Sequence, residues 1–147
     1  MTKHINYGKL KRVLSNIRES TGDIDNTLIE YDKSDKKIKA IFENSLRMSI
    51  VQLRESIFDA AASLLKSSNI SVNSLGGNKE IFDKCLEKGY FLNIKKEFFI
   101  ILTKYRNSAC HRYKQPSMAD LLDFIKCYRD DIDTVILELE SILEDNN

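Results

Sequence analysis

Proline is nearly missing from this chain: Pro116 is its one example in 147 residues, and glycine occurs five times. So few turn-formers cannot support the many tight reversals of an all-β domain, whereas they suit long helices. Tryptophan is absent, and histidine is limited to His4 and His111. Neither histidine lies one helical turn from another or beside a cysteine pair, so no protein zinc site is expected. That leaves carboxylate-held magnesium as the open metal chemistry. Cys85, Cys110 and Cys127 form an odd, widely spaced set. They match neither a disulfide framework nor a CxxC knuckle and are expected to be buried thiols.

Long apolar runs are also lacking, and none approaches the roughly 20 residues of a membrane span. The opening "MTKHINYGKLKRVLSNIRES" has no unbroken apolar segment before a small-residue cleavage site, so it does not read as a secretory signal. The cytoplasm is the expected compartment. Neither GxGxxG nor GxxxxGK[ST] occurs, so nucleotides would enter as substrate or on a partner, and no cofactor is expected. No repeat period of 20 to 50 residues is present.

The remaining composition, 42% hydrophobic and 31% charged, suits a single domain with a packed core. Leu10, Val13, Leu14, Ile17, Ile24, Leu28 and Tyr31 step by three and four, which predicts one helix or two stacked pieces broken near Gly22. A second series runs from Ile38 and Ile41 through Leu46, Leu53 and Ile57 to Leu64, with Ser34 as the expected N-cap. "SSNISVNSLGGN" reads as a loop. A short helix over about Lys79 to Lys88 follows, with Asn78 as cap and Gly89 as its left-handed end. Asn93 is the expected cap of the next helix, whose stripe is Ile94, Phe98, Ile101, Leu102 and Tyr105. Pro116 breaks the chain after it, and "SMAD" at Ser117 to Asp120 has the capping-box pattern of a last helix running almost to the end. The fold class is therefore all-α, an antiparallel bundle of four to five helices.

Charge is the most informative local feature. The net value is only +1, so nothing global advertises nucleic acid. Yet Phe98 to Ala119 contains no acid, while Lys104, Arg106, Arg112 and Lys114 fall inside it. From Asp120 onward nine acids face two bases.

That basic segment holds "KYRNSACHRYK". Arg106 and His111 are five positions apart, so on an unbroken helix their side chains diverge by roughly 140°. They share a site only if the helix ends between them or if they meet across a symmetric dimer. Imidazole titrates near neutrality and can move a proton at a ribose 2′-hydroxyl or a leaving 5′-oxygen. Guanidinium offers a fixed fork to phosphate oxygens and stabilises charge developing there. The pair suffices, without metal, for 2′-hydroxyl attack on a phosphodiester. A two-fold dimer would add the second histidine, and Asn107 would orient the pair or bind phosphate.

Tyr113 would stack on a base or donate its hydroxyl, and Lys104, Arg112 and Lys114 would attract RNA. Each residue also has a plain role. Arg106 neutralises a helix C-terminus, worth a few tenths to about 1 kcal/mol. On the same plain reading His111 would satisfy a local hydrogen bond, Tyr113 would pack, Asn107 would end a helix and the other cations would be solvated.

"RNSACHRY" resembles the signature of the HEPN superfamily: arginine, polar residue, three variable residues, histidine, any residue, tyrosine. The branch is that of HepT toxins and nucleotidyltransferase substrate-binding proteins. The likeness extends from about Ser49 to Leu143 in the order of its parts, including "VQLRESIFDAAASLLK" and "KEIFDKCLEKGYF". It implies a HEPN-like helical homodimer with Arg106 and His111 as catalytic residues and Asn107 in support. It also implies a minimal nucleotidyltransferase antitoxin as partner, AMPylation of Tyr113 and metal-independent cleavage of RNA. The branch also contains proteins described only as substrate-binding subunits of the transferase.

Overall fold

The computed structural model describes residues 4–109 and 115–145. Within them the chain forms five α-helices and no strand: α1 (Tyr7–Lys33), α2 (Lys36–Ser67), α3 (Asn78–Glu87), α4 (Lys96–Ala109) and α5 (Met118–Glu144), with a 3-10 turn at Val72–Ser74. The architecture is the expected helical bundle. No helix among the described residues is long and apolar enough to cross a membrane.

Helix α1 is continuous through Gly22 rather than broken there. A helical glycine costs about 1 kcal/mol relative to alanine. Here buried Ile17, Ser20, Thr21 and Ile24 flank it and hold the helix against its neighbours. Ser34 is not the cap of α2: its Oγ donates to the Glu30 carbonyl at 2.6 Å and it closes α1 instead. The cap is Asp35, whose Oδ1 accepts the backbone N–H groups of Lys37 and Ile38, each at 3.2 Å. The two-residue link folds α1 and α2 into an antiparallel hairpin.

The apolar series on α2 divides in two. Leu46, Leu53, Ile57 and Leu64 are fully buried, whereas Ile38 and Ile41, expected on the same stripe, are exposed. Each large aliphatic side chain taken wholly from water stabilises the fold by about 1.5–3 kcal/mol, so the C-terminal two thirds of α2 anchors the core.

Helix α3 ends as the sequence predicts. Gly89 has φ +88°, and the Tyr90 N–H reaches back to the Cys85 carbonyl at 2.8 Å, closing a Schellman turn. At its start the cap is Gly77, with Asn78 already helical. Phe91 follows in the left-handed region at φ +60°, a conformation that costs a non-glycine residue energy. Both carboxylate oxygens of Glu138 on α5 accept its N–H, at 2.8 and 3.0 Å. Two helical turns earlier, Asp131 Oδ1 accepts the Lys95 N–H at 3.2 Å. These two α5 acids fix the α3–α4 link, and α4 begins at Lys96 rather than after Asn93.

Helix α4 lies among aromatic rings. Phe82 stacks on Phe99 with centroids 4.3 Å apart, and Phe98 stacks on Phe124 at 5.9 Å. Helix α5 opens with the capping box: Ser117 Oγ accepts the Asp120 N–H at 3.1 Å and the Asp120 carboxylate accepts the Ser117 N–H at 3.2 Å. It runs antiparallel to α1, with the Arg129 fork on the Asp25 carboxylate at 3.1 and 2.9 Å and Arg18 on Glu140. Of the cysteines expected to be buried, Cys85 is buried and Cys127 is exposed. Cys110 lies outside the described residues.

Candidate functional site

The last turn of α4 carries Arg106 and Asn107, with Lys104 in the turn before it. His111, Arg112, Tyr113 and Lys114 lie outside the described residues. The site is therefore described from its arginine half and from the groups that hold the flanks of the segment.

Arg106 is half-exposed and does not stand alone at a helix end. Its Nε donates to Glu55 Oε1 of α2 at 2.8 Å, and its Nη1 donates to Asn107 Oδ1 at 3.3 Å. Asn107 thus contacts the arginine it was expected to support. Lys104 is exposed on the same helix. The acid-free stretch seen along the chain is not acid-free in space, because α2 packs against α4 and delivers a carboxylate from fifty-one positions away.

The same Glu55 oxygen also accepts from Arg54 Nη1, at 3.3 Å. Two guanidinium groups therefore share one carboxylate. Their environments differ sharply: the side chain of Arg54 is 4% exposed, against 41% for Arg106 and 44% for Glu55. Arg54 lies over the Phe58 ring, its carbon 4.6 Å from the centroid. Its pKa is lowered, first by burial and secondarily by the charge of Arg106, while Glu55 opposes the shift. Among the described residues, its Nε and Nη2 have no hydrogen-bond partner.

Two further contacts position the flanks of this region. Tyr105 donates its hydroxyl to the Asp120 carbonyl at 3.2 Å, and its ring meets Phe124 edge-on, which ties the end of α4 to the start of α5. Burial, followed by the charges of Asp120 and Asp123, raises the Tyr105 pKa. On the far side, Arg47 of α2 donates from Nε to the carbonyl of buried Pro116 at 3.0 Å. Helix α2 thus holds the first residue of the signature, Arg106, through Glu55, and the chain beyond the signature, at Pro116, through Arg47.

Sequence reasoning missed Arg54 and Glu55. Arg54 was detectable in principle. It stands at i+4 from Ile50 and at i−4 from Phe58, so a cation is set into the apolar face of α2 where an aliphatic residue would continue the pattern. Glu55 gave no such sign, because a partly exposed glutamate on a helix is ordinary.

Among the described residues no group of three or more His, Cys, Asp or Glu is placed to hold a metal ion. Two clefts open on the helices that carry these groups. An apolar groove of about 270 Å³ between α3 and α4 is lined by Phe82, Leu86, Phe99 and Ile100. A more polar cleft of about 340 Å³ lies between α1 and α2, with Glu55 on its wall. Comparison with protein-family models, curated proteins and solved structures finds no match for this chain.

Proposed function

We propose that this chain is a HEPN-type endoribonuclease, the toxin of a toxin–antitoxin pair, working as a homodimer without a metal. The supporting observation is the RNSACHRY signature, whose Arg106 stands in the last turn of α4 and donates to Glu55 and Asn107. In this mechanism His111 takes the proton of a ribose 2′-hydroxyl. The 2′-oxygen forms a bond to phosphorus, and the bond from phosphorus to the 5′-oxygen breaks. The products are a 2′,3′-cyclic phosphate and a 5′-hydroxyl, the leaving oxygen being protonated by His111 of the second copy. Arg106 stabilises the charge on the phosphoryl oxygens, and Lys104, Arg112 and Lys114 attract the RNA backbone.

Silencing would come from a minimal nucleotidyltransferase. The Tyr113 oxygen attacks the α-phosphorus of ATP, pyrophosphate leaves, and AMP remains on the phenol. The added bulk and negative charge, two residues from His111, would exclude RNA and counter the local cations.

The test is separate expression of the wild type and of His111→Ala in bacteria, following growth and RNA integrity. Arrested growth and cleaved RNA with the wild type alone are expected. Equal harmlessness, with RNA left intact by purified dimer lacking AMP, would refute the proposal. One observation favours a second reading: an arginine held by a glutamate on the neighbouring helix also suits a structural role. The chain would then be a non-catalytic substrate-binding subunit of the nucleotidyltransferase. That reading predicts a stable complex and altered transferase activity, with RNA untouched by wild type and variants alike.

A further inference from the structure

Glu55 brings two arginines onto one oxygen, but it satisfies them unequally. On Arg54 it reaches Nη1, and it leaves the Nε and Nη2 edge without a partner among the described residues. Both atoms of that edge are sealed from solvent, so an anion that takes the place of Glu55 would be held on Arg54 through Nη1. Beyond the cation–π contact with the Phe58 ring, the core gains no packing that an aliphatic side chain of similar length would fail to give. A buried guanidinium with empty donors instead carries a free-energy cost. Glu55, by contrast, has a side chain 44% exposed, so it can rotate into water with little loss of packing.

We infer that Arg54 and Arg106 form a two-guanidinium phosphate clamp, and that Glu55 is its resting occupant, an internal anion that an incoming phosphate displaces. The ligand class is a phosphate group with two free oxygens, as in an RNA phosphodiester; its assignment to RNA rests on the ribonuclease reading, while the clamp itself rests on the geometry. With Glu55 in place the three side chains sum to a single positive charge. With Glu55 turned out they present two, one of them on a desolvated group whose hydrogen bonds are stronger than they would be in water. A site closed by its own carboxylate would also discriminate against weakly bound anions, since each must compete with Glu55.

The test uses the full chain, inorganic phosphate and an uncleavable 2′-O-methyl oligoribonucleotide, with affinities measured by calorimetry at fixed ionic strength. Glu55→Gln keeps the side-chain volume and removes the competing charge. It should bind both probes about tenfold more tightly than the wild type. Arg54→Met should weaken both by about tenfold and abolish the gain when combined with Glu55→Gln. Binding unchanged or weaker in Glu55→Gln overturns the inference. So does unchanged binding in Arg54→Met, which would mean that water alone satisfies the buried donors. If Arg54→Met does not fold, the Glu55→Gln arm decides by itself. A clamp that takes both probes while natural RNA stays intact would keep this inference and refute the ribonuclease. Cleavage of RNA with no effect of Glu55→Gln on affinity would do the reverse.

Discussion

Removing the Glu138 carboxylate should loosen the link that sets α4 in place. Glu138 holds the N–H of Phe91, a residue kept at φ +60°. A hydrogen bond to a charged acceptor contributes about 1.5–3 kcal/mol, and the left-handed conformation costs of order 1–3 kcal/mol that this bond helps to offset. Glu138→Ala is therefore expected to lose about 2 kcal/mol, read as a lower urea midpoint with an unchanged slope. Glu138→Gln keeps one acceptor oxygen and should lose less. The two variants differ further in their pH response. Burial raises the Glu138 pKa above its ordinary value, and the Phe91 N–H only partly counters this. The folded state thus binds the proton more readily than the unfolded chain. Glu138's titration-linked contribution is fully present below the unfolded pKa and is lost as pH rises through the folded one. The wild type should accordingly gain stability on Glu138→Gln as pH falls from 7 into the carboxylate range. A Glu138→Ala protein within 0.5 kcal/mol of wild type, about the scatter of surface substitutions, would refute the role given to this bond. A stability gap that shrinks with falling pH would refute the electrostatic part.

Three further outcomes follow from the same geometry. Gly22→Ala should raise stability by about 0.5–1 kcal/mol, because a Cβ there meets nothing within 4 Å; thermal or urea unfolding measures it. Under native conditions at pH 8, an alkylating reagent followed by peptide mass spectrometry should label Cys127, which is exposed, while Cys85, buried and pushed up to about 12, reacts only on unfolding. Arg54→Met should be more stable than wild type by about 1–3 kcal/mol in urea unfolding, since it replaces a buried, incompletely paired charge with an apolar chain of similar length.

Sequence signals are legible where the chemistry is itself local. Ser117 and Asp120 form their capping box within four residues, and Gly89 ends α3 because a left-handed C-terminal residue favours the side chain that is missing. The errors arose where two local rules competed. Ser34 and Asp35 are both good caps, and the one with the carboxylate took α2 while the serine closed α1. Gly22 reads as a break only if its neighbours are ignored; buried side chains on either side keep α1 whole. Periodicity put Ile38 and Ile41 on the core stripe, but it cannot say how far along α2 the neighbouring helices extend. The long-range polar contacts, of the site and of the α3–α4 link, were illegible for a different reason. The partners of Arg106, Phe91 and Lys95 lie 51, 47 and 36 positions away, and no spacing rule connects residues that only tertiary packing brings together.

Buried polar groups are costly to leave open. Several in the described interior are closed on protein groups: Thr21 Oγ1 donates to the Ile17 carbonyl at 2.7 Å, Ser67 Oγ to the Leu64 carbonyl at 2.5 Å, and Asp131 accepts from Lys95. Such closure is the rule for buried groups, because each open one costs about 1–3 kcal/mol. Arg54 departs from the rule, and it does so one carboxylate away from Arg106. If cost alone governed the position, an aliphatic residue would serve α2 better. A charge kept there against folding therefore points to work done on something outside the fold. With Arg106 one carboxylate away, the work proposed for it is holding an anion.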